Sequence, residues 1–186
     1  MISPLAAPST LKPGSTRITY VIRPSVWGRV LIATTEKGVR AVFFADRSAA
    51  LEEALRERCR GAEIVAGDGG RLVERVLQLL ASPWEKWDVP LDVRGTPFQE
   101  KVWRALLEIP AGTTASYTGI ARKIGHPRAV RAVAGACAAN ALAVGIPCHR
   151  VVRSDGSLSG YRWGAGIKRE LLAAEQAALL RANKPA

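Results

Sequence analysis

Residues 116–139 read SYTGIARKIGHPRAVRAVAGACAA, and this stretch decides how the second half of the chain folds. Its pattern predicts a short helix from about Tyr117 to Ile124, a break at Gly125-His126-Pro127, and another helix from Arg128 to about Ala139. Two short helices joined by a turn that contains glycine are typical of the helix-turn-helix motif. We therefore expect a helix-turn-helix at this position.

The second of these helices carries small residues on one face, with Arg131 projecting among them: Ala132, Gly135, Ala136 and Ala139. Such a face would let a partner approach the helix backbone closely. A tightly packed internal helix also favours alanine. The sequence of the helix alone does not separate these two interpretations.

The chain on either side of the motif shows further helix and turn signals. Thr96-Pro97-Phe98-Gln99 has threonine as N-cap, proline at the first helical position and glutamine at the third, a capping box before a helix that runs to Ile109-Pro110. Asp155-Gly156, between apolar Val151-Val152 and Leu158, is a strong hairpin signal. A hairpin that follows a helix-turn-helix is the wing of a winged-helix module, so a wing is expected here.

The first half of the chain has the pattern of a small α/β unit. Period-2 alternation and short apolar runs predict three strands, and helical periodicity then predicts two amphipathic helices. The strands are expected at residues 17–23, 29–34 and 38–44, and the helices at residues 48–60 and 70–81. Residues 82–91 are interpreted as a linker or extended crossover.

The predicted fold class is therefore an α/β N-terminal domain, with a small three-stranded sheet and helices, followed by a mostly α winged helix-turn-helix domain. The expected boundaries are a flexible lead-in over residues 1–15, the α/β domain with its linker over 16–92, and the winged helix-turn-helix domain over 93–186.

Positive charge is concentrated in the second half of the chain. Residues 1–94 hold 14 Lys and Arg against 11 Asp and Glu, whereas residues 95–186 hold 13 against 5, a net charge of +8. A solvated basic surface kept for solubility is one explanation. A one-sided basic half is also the electrostatic signature of nucleic-acid binding, which this distribution favours.

Several classes of protein are disfavoured. No run approaches the roughly 20 apolar residues of a membrane span, and the start of the chain lacks the pattern of a secretory signal. The cysteines, Cys59, Cys137 and Cys148, are too few for a disulfide framework, and with two histidines they do not make a zinc site. We expect a cytoplasmic protein with no metal, no cofactor and no membrane contact.

The run Pro147-Cys148-His149-Arg150 is the strongest chemical signal. Cys148 is either an ordinary buried thiol or an activated nucleophile whose thiolate is favoured by a nearby imidazole. Successive residues of an extended segment point to opposite faces, so we expect a bridging water rather than direct contact between Cys148 and His149. Glu175, on a last amphipathic helix from about Ile167, is the acid expected to orient His149.

Residues Phe98 to Glu175 resemble the catalytic domain of the O6-alkylguanine-DNA alkyltransferases, also called methylated-DNA–protein-cysteine methyltransferases, and most closely the C-terminal part of Ada-type members. The resemblance covers about the last 90 residues. The matching residues are Phe98-Gln99, Val102-Trp103, Ile109-Pro110 with Gly112, Ser116-Tyr117, Ile120-Ala121, Ile124-Gly125, Arg131-Ala132-Val133, Asn140, residues 146–151, Gly160-Tyr161-Arg162, Lys168, Leu171-Leu172 and Glu175.

This resemblance implies single-use repair of O6-alkylguanine in double-stranded DNA, with O4-alkylthymine as a further candidate substrate. Cys148 would take the alkyl group as a thioether after a water linked to His149 and Glu175 activates it. Tyr117 would contact a phosphate and help protonate the leaving base. Arg131 would replace the extruded nucleotide in the stack, because duplex DNA hides the O6 atom until the base is flipped.

The resemblance also implies a DNA interface and a base pocket. The second helix would enter the minor groove, where close approach matters, and the chain would act as a monomer. Asn140 would fix the turn between this helix and the active-site segment. The expected DNA contacts are Arg131, Tyr117, Thr118, Ala132, Gly135 and Ser154, and the expected pocket residues are Val151, Tyr161 and Arg162.

Arg162 departs from members that carry a small hydroxyl residue at its position. The backbone of Arg162 could still line the base pocket, but its large side chain puts the size of the pocket in question. The alternative functions are a winged-helix DNA-binding regulator and a damage sensor, neither of which would transfer an alkyl group.

Overall fold

The structure, a computed structural model, describes residues 16–182, so the predicted lead-in over residues 1–15 lies outside the described part. Three strands follow one another as an antiparallel meander, as the alternation of apolar residues predicts. They are β1 (Arg17–Ser25), β2 (Gly28–Thr35) and β3 (Gly38–Phe44). β3 is buried along its whole length and belongs to the hydrophobic core.

The prediction of a three-stranded sheet is wrong, because a fourth strand joins it. β4 (Glu63–Ala66) pairs in parallel with β1, with Ile18 opposite Ile64, and the strand order is β3-β2-β1-β4. The new strand is four residues long and only partly buried. Such a short edge strand carries too little apolar alternation to be recognised from sequence, and its pairing depends on a partner more than 40 residues away.

Two helices complete the first half. α1 (Ser48–Arg58) ends two residues earlier than expected, because Cys59 adopts a non-helical conformation as its C-cap. α2 (Gly70–Ala81) has the predicted bounds, and it buries Val73, Val76 and Leu80 at helical spacing.

The second half contains four helices within the described residues. They are α3 (Pro97–Leu107), α4 (Tyr117–Lys123), α5 (Val130–Ala139) and α6 (Ala165–Ala182). The capping box of α3 is confirmed: the Thr96 side chain accepts a hydrogen bond from the Gln99 backbone, and the Gln99 side chain accepts one from the Thr96 backbone. α5 begins two residues later than predicted, because a turn at His126–Ala129 precedes it.

The predicted hairpin is not formed. Asp155-Gly156 does make a turn, in which the Arg153 amide donates to the Ser157 carbonyl at 3.0 Å. However, β6 (Val151–Val152) pairs in parallel with β5 (Ala115–Ser116), and no strand follows the turn within the described residues. The segment after the turn is held instead by the Ser159 hydroxyl, which hydrogen-bonds to Tyr117 and Lys168.

The sheet is joined to the segment that precedes the cysteine motif. The Val42 amide of β3 donates to the Ala141 carbonyl at 2.8 Å, and the Ala143 amide donates back to the Val42 carbonyl at 3.2 Å. One hydrophobic cluster runs through both halves of the chain. The first half therefore serves as a support for the backbone that leads into Cys148. Within residues 16–182, no helix is both long and apolar enough to cross a membrane.

Replacing the N-cap of α3 tests how much this local motif stabilises the fold. We expect Thr96→Ala to lower the free energy of unfolding by about 0.5–2 kcal/mol, because it leaves the Gln99 amide without its acceptor. Urea unfolding would measure the change. Ser48→Ala, at the start of a helix whose N-cap makes no side-chain hydrogen bond, is the matched control and should cost less than about 0.5 kcal/mol. Equal losses in both variants would contradict this role.

Candidate active site

A cavity of about 310 Å³ lies where α5, the cysteine motif and the segment before α6 meet. It brings together four of the residues that the sequence singled out. Its lining residues are Tyr117, Ala134, Cys137, Ala138, Cys148, Gly160, Tyr161 and Arg162. Val151, expected in the same pocket, is fully buried and does not line it, and its carbonyl accepts a 2.6 Å hydrogen bond from Lys168 Nζ.

Cys148 begins a short turn rather than lying in the extended segment that was expected. Residues Cys148–Arg150 form a single 3-10 turn, in which the Arg150 amide donates to the Pro147 carbonyl at 3.0 Å. Proline at position 147 fits this change of direction, because its ring fixes the φ angle before the turn. The Cys148 residue is 4% exposed, so its sulfur is nearly withdrawn from solvent.

Asn140 holds the backbone on which this turn rests. Its amide nitrogen donates to the carbonyls of Leu142 (3.3 Å) and Ile146 (2.9 Å) and to Cys148 Sγ (3.2 Å), while its oxygen accepts from the Leu142 amide. Val144, inside the enclosed loop, has a φ of 65°, a conformation that β-branched residues rarely adopt. A strained loop of this kind persists only where its surroundings fix it, and Asn140 supplies that constraint.

The environment of Cys148 favours the neutral thiol. Burial raises the pKa of Cys148 to about 11, while the hydrogen bond from Asn140 and the positive charge of Lys168 limit the rise. The nucleophile is the thiolate, so a base must remove the proton when reaction occurs. The thiol is consequently protonated at neutral pH until such a base acts.

His149 and Glu175, which were expected to interact, form a hydrogen-bonded pair, and both are buried. Their Nε2 and Oε1 atoms are 2.8 Å apart, and both side chains are fully buried. Burial lowers the pKa of His149 despite the neighbouring carboxylate, so the ring is neutral at pH 7. Burial acts to raise the pKa of Glu175, but hydrogen bonds from His149 and Arg150 outweigh it and hold that pKa below its usual value.

These protonation states fix which ring nitrogen can act as a base. Because Glu175 is ionised and accepts only, Nε2 of the neutral His149 ring carries the proton and donates it. Nδ1 then carries a lone pair, and it makes no hydrogen bond to any residue in the range 16–182. Within residues 16–182 no hydrogen bond joins the side chains of Cys148 and His149, and the bridging water between them stays a prediction.

The exposed face of α5 carries the residues expected to contact DNA. Arg131, Ala132 and Gly135 are exposed, whereas Ala136 is buried and its carbonyl accepts a 2.8 Å hydrogen bond from Trp103 Nε1. One side of α5 is therefore open to a partner, and the other side is packed against the rest of the protein. Ala136 belongs to the packed side, which corrects its assignment to the open face.

Two hydroxyl pairs join α4 to the segment that follows β6. Tyr117 and Ser159 share a hydrogen bond of 2.6 Å, and burial raises the pKa of Tyr117. Thr118 and Ser154, which the sequence placed 36 residues apart as possible phosphate contacts, lie 3.1 Å from each other at an exposed position.

Lys168 is a site residue to which sequence reasoning gave no role. It is fully buried, and its ammonium group donates to the Val151 carbonyl and to Ser159 Oγ at 3.2 Å. Its position on α6, three and seven residues before the buried Leu171 and Glu175, was a usable signal of burial. Arg150 was likewise quoted only as part of the motif, yet it binds both oxygens of Glu175.

Known proteins are similar to this chain over most of its length. Residues 97–177 match the family model described as 6-O-methylguanine DNA methyltransferase, DNA binding domain. The chain is 45% identical over 161 residues to the bifunctional transcriptional activator/DNA repair enzyme Ada of Escherichia coli strain K12, covering 85% of this chain and 45% of Ada. The chain thus spans less than half the length of Ada.

Two further relatives are matched over most of their length. The inducible methylated-DNA–protein-cysteine methyltransferase of Bacillus subtilis strain 168 is 41% identical over 152 residues, covering 79% of this chain and 84% of that protein. A crystal structure of Mycobacterium tuberculosis OGT in complex with DNA is 32% identical with a TM-score of 0.70, covering 87% of this chain and 93% of that one.

The buried neutral histidine predicts a pH dependence of stability. The folded pKa of His149 lies below its usual 6.5, so below pH 6.5 the unfolded chain takes up a proton that the folded chain excludes. The free energy of unfolding should therefore fall as the pH drops from about 6.5, by at most about 1.4 kcal/mol per pH unit. Urea unfolding between about pH 7.5 and 5.5 would measure it.

The exposed His126 provides the control. His126→Gln should keep the pH dependence, and NMR titration should show the His149 ring neutral at pH values where an unfolded histidine is already protonated. A free energy of unfolding that stays constant over this range, or a His149 ring that titrates normally, would contradict the burial argument.

Proposed function

Because this chain belongs to the 6-O-methylguanine DNA methyltransferase family, we propose that it repairs DNA by transferring the alkyl group of an O6-alkylguanine to Cys148. The observation that carries the proposal is the placement of the Cys148 thiol in a cavity with Tyr117, behind an exposed helix and next to a buried His149–Glu175 pair. The thioether product is not readily reversed, so each molecule acts once. O4-alkylthymine is a further candidate substrate.

In the proposed reaction, one proton leaves the Cys148 thiol and another reaches the leaving guanine. A water between Cys148 Sγ and the free Nδ1 atom of His149 takes the thiol proton and passes it to the imidazole, whose positive charge Glu175 stabilises. The thiolate attacks the alkyl carbon, a C–S bond forms, and the bond to O6 breaks. The electron pair of that bond stays on guanine, and the Tyr117 hydroxyl helps supply the proton that the leaving base needs.

A flipped base must be replaced in the duplex, and α5 is suited to this task. We assign Arg131 as the residue that enters the stack, because it is exposed on a helix whose neighbours Ala132 and Gly135 are small. Small residues allow the α4–α5 pair, acting as a helix-turn-helix, to approach the floor of the minor groove. Flipping costs a few kcal/mol, which such an inserted side chain offsets.

The remaining site residues hold the base and the backbone. Tyr161 and Arg162 line the cavity and flank the flipped base, while the buried Val151 supports its floor. Tyr117, Thr118 and Ser154 are assigned to phosphate contacts, the last two as one exposed hydroxyl pair. In this proposal the protein acts on double-stranded DNA as a monomer in the cytoplasm, and it uses no cofactor.

Intact-mass measurement tests the transfer. After incubation with an oligonucleotide that contains O6-methylguanine, we expect the protein to gain the mass of one methylene group, located by peptide mapping on the peptide with Cys148. Cys137 is the matched control because it lines the same cavity and is also buried.

Cys137→Ser should therefore keep the mass gain, and Cys148→Ser should lose it. A wild-type protein that binds the oligonucleotide but stays unmodified would overturn the proposal in favour of a DNA-binding regulator or sensor.

The role of Arg131 can be separated from the chemistry. We expect Arg131→Ala to slow repair of duplex DNA by about tenfold or more, since flipping loses a stabilisation of the order of 1.4 kcal/mol, but to leave reaction with the free alkylated base nearly unchanged. Single-turnover rates with both substrates would measure the difference. Arg104→Ala, on the exposed face of α3, is the control and should affect neither rate. Equal losses on duplex and free base would refute the stacking role.

A further inference from the structure

A second polar cleft lies away from the cysteine cavity, in the first half of the chain. It has a volume of about 270 Å³ and is bounded by β3, the end of α1 and the segment before α3. Four of the residues that line it are arginines: Arg40, Arg58, Arg60 and Arg94. The lining residues include no Asp or Glu. We call this site the arginine cleft.

Asp92, which pairs with Arg94, neutralises only part of this charge. Asp92 accepts a hydrogen bond from Thr35 Oγ1 at 2.9 Å and forms an ion pair with Arg94 at 3.3 Å. This single ion pair offsets only part of the charge of the four guanidinium groups. Residues 1–15 and 183–186, which lie outside the described part, contain no Asp or Glu that could supply a side-chain carboxylate.

Arg40 is buried and Arg58 is partly buried, and both guanidinium groups have few polar partners. Arg40 is 8% exposed, and within residues 16–182 its guanidinium makes one hydrogen bond, to the Asp92 carbonyl at 3.4 Å. A guanidinium has five N–H donors, and a buried charge is costly unless it is paired. Arg58 makes no hydrogen bond or ion pair to any residue in that range. Burial and the charges of Arg162 and Arg40 lower the pKa of Arg58.

Arg162 connects this cleft with the cysteine cavity. Its guanidinium lies 5.8 Å from the centre of the Phe43 ring and donates to the Ala138 carbonyl at 3.5 Å, near the end of α5. The same side chain lines the cavity that contains Cys148 and is close enough to Arg58 for their charges to repel. Positive charge is therefore continuous from the active-site cavity to the arginine cleft.

We propose that the arginine cleft binds a backbone phosphate of the DNA duplex, beyond the part of the duplex that α5 contacts. The inference rests on the proposed function, since it takes α5 to be the helix that holds DNA. Planar guanidinium groups match phosphate oxygens in paired, bidentate hydrogen bonds. Each strand of B-DNA presents a phosphate about every 3.4 Å along the axis, so a duplex that continues past Arg162 offers phosphates to the cleft.

Positive charges that are close together and partly buried lower stability unless an anion pairs with them. A bound phosphate would pair Arg40 and Arg58, and it would offset the repulsion among Arg40, Arg58 and Arg162. The first half of the chain would then contribute to DNA affinity, in addition to supporting the segment before Cys148.

The test compares Arg58→Gln/Arg60→Gln with Arg56→Gln. Arg56 is an exposed arginine of α1 that is paired with Glu52 at 3.0 Å. Its replacement removes a guanidinium group that lies outside the cleft. Binding to undamaged duplexes of about 8 and about 20 base pairs, measured by fluorescence anisotropy over a range of salt, reports on phosphate binding without any alkyl transfer.

We expect the double variant to bind the long duplex at least about fivefold more weakly than the wild type. The slope of its log affinity against log salt concentration should be shallower by about 0.9 for each phosphate that the variant no longer neutralises. Its affinity for the short duplex should change by less than about twofold. Arg56→Gln should match the wild type on both duplexes. Equal weakening on both lengths, or a salt dependence like that of Arg56→Gln, would overturn the proposal.

Inorganic phosphate separates the two possible sources of the anion. Phosphate that shifts the NMR signals of Arg58 and Arg60 and competes with the long duplex supports the proposal. Phosphate that binds there while DNA affinity is independent of both arginines would instead identify a site for a small free anion. Rates of methyl transfer from free alkylated base are measured on the same preparations. If the wild-type protein accepts no methyl group, the proposed chemistry is refuted. The dependence of DNA affinity on duplex length still tests whether the cleft binds a phosphate.

Discussion

The carboxylate of Glu175 is the contact on which the rest of the site depends. Its two oxygens accept hydrogen bonds from His149 Nε2, from the Arg150 guanidinium and, at 2.9 Å, from the Gly112 amide. Arg150 continues the network to the Ile109 carbonyl at 2.6 Å. A buried carboxylate is tolerated only with such compensation, and removal of one partner from a buried pair costs about 3–5 kcal/mol. The last helix, the cysteine turn and the loop after α3 are therefore fixed relative to one another by one charge.

This network also explains how a buried, protonated thiol can be an advantage. An exposed cysteine with a low pKa would be open to oxidation and to other electrophiles, because reactivity follows thiolate character and exposure. Cys148 is nearly inaccessible and burial raises its pKa to about 11, so the thiol is protected from both reactions. In the proposed reaction, the neutral His149 ring, oriented by Glu175, then provides the base. A nucleophile that is used once, as proposed for Cys148, benefits from such protection.

The parts of this structure that sequence could predict are those set by nearby residues. The capping box at Thr96, the alternation in β1 and the helical spacing in α2 each involve residues a few positions apart. Glu175 was expected to orient His149 because the histidine needs an acid partner, but the complete burial of both side chains was not predicted. β4, Lys168 and the segment after Gly156 were missed or wrong, because each depends on a partner far along the chain: β1, the Val151 carbonyl, and Tyr117 through Ser159. The hairpin signal at Asp155-Gly156 was locally correct, since the turn forms, but side-chain hydrogen bonds replaced its second strand.

The two halves of the chain are coupled at β3, and this coupling gives the first half a direct influence on the reacting sulfur. Val42 holds Ala141 and Ala143 by backbone hydrogen bonds, and Asn140 bonds both to the loop that follows and to Cys148 Sγ. Phe43, the next residue of the same strand, packs against Arg162 at the cavity. A shift of β3 would therefore move the strained Val144 loop, the thiol and a cavity arginine together. Since this strand also carries Arg40, the arginine cleft and the backbone that leads to Cys148 are connected through one strand of the sheet.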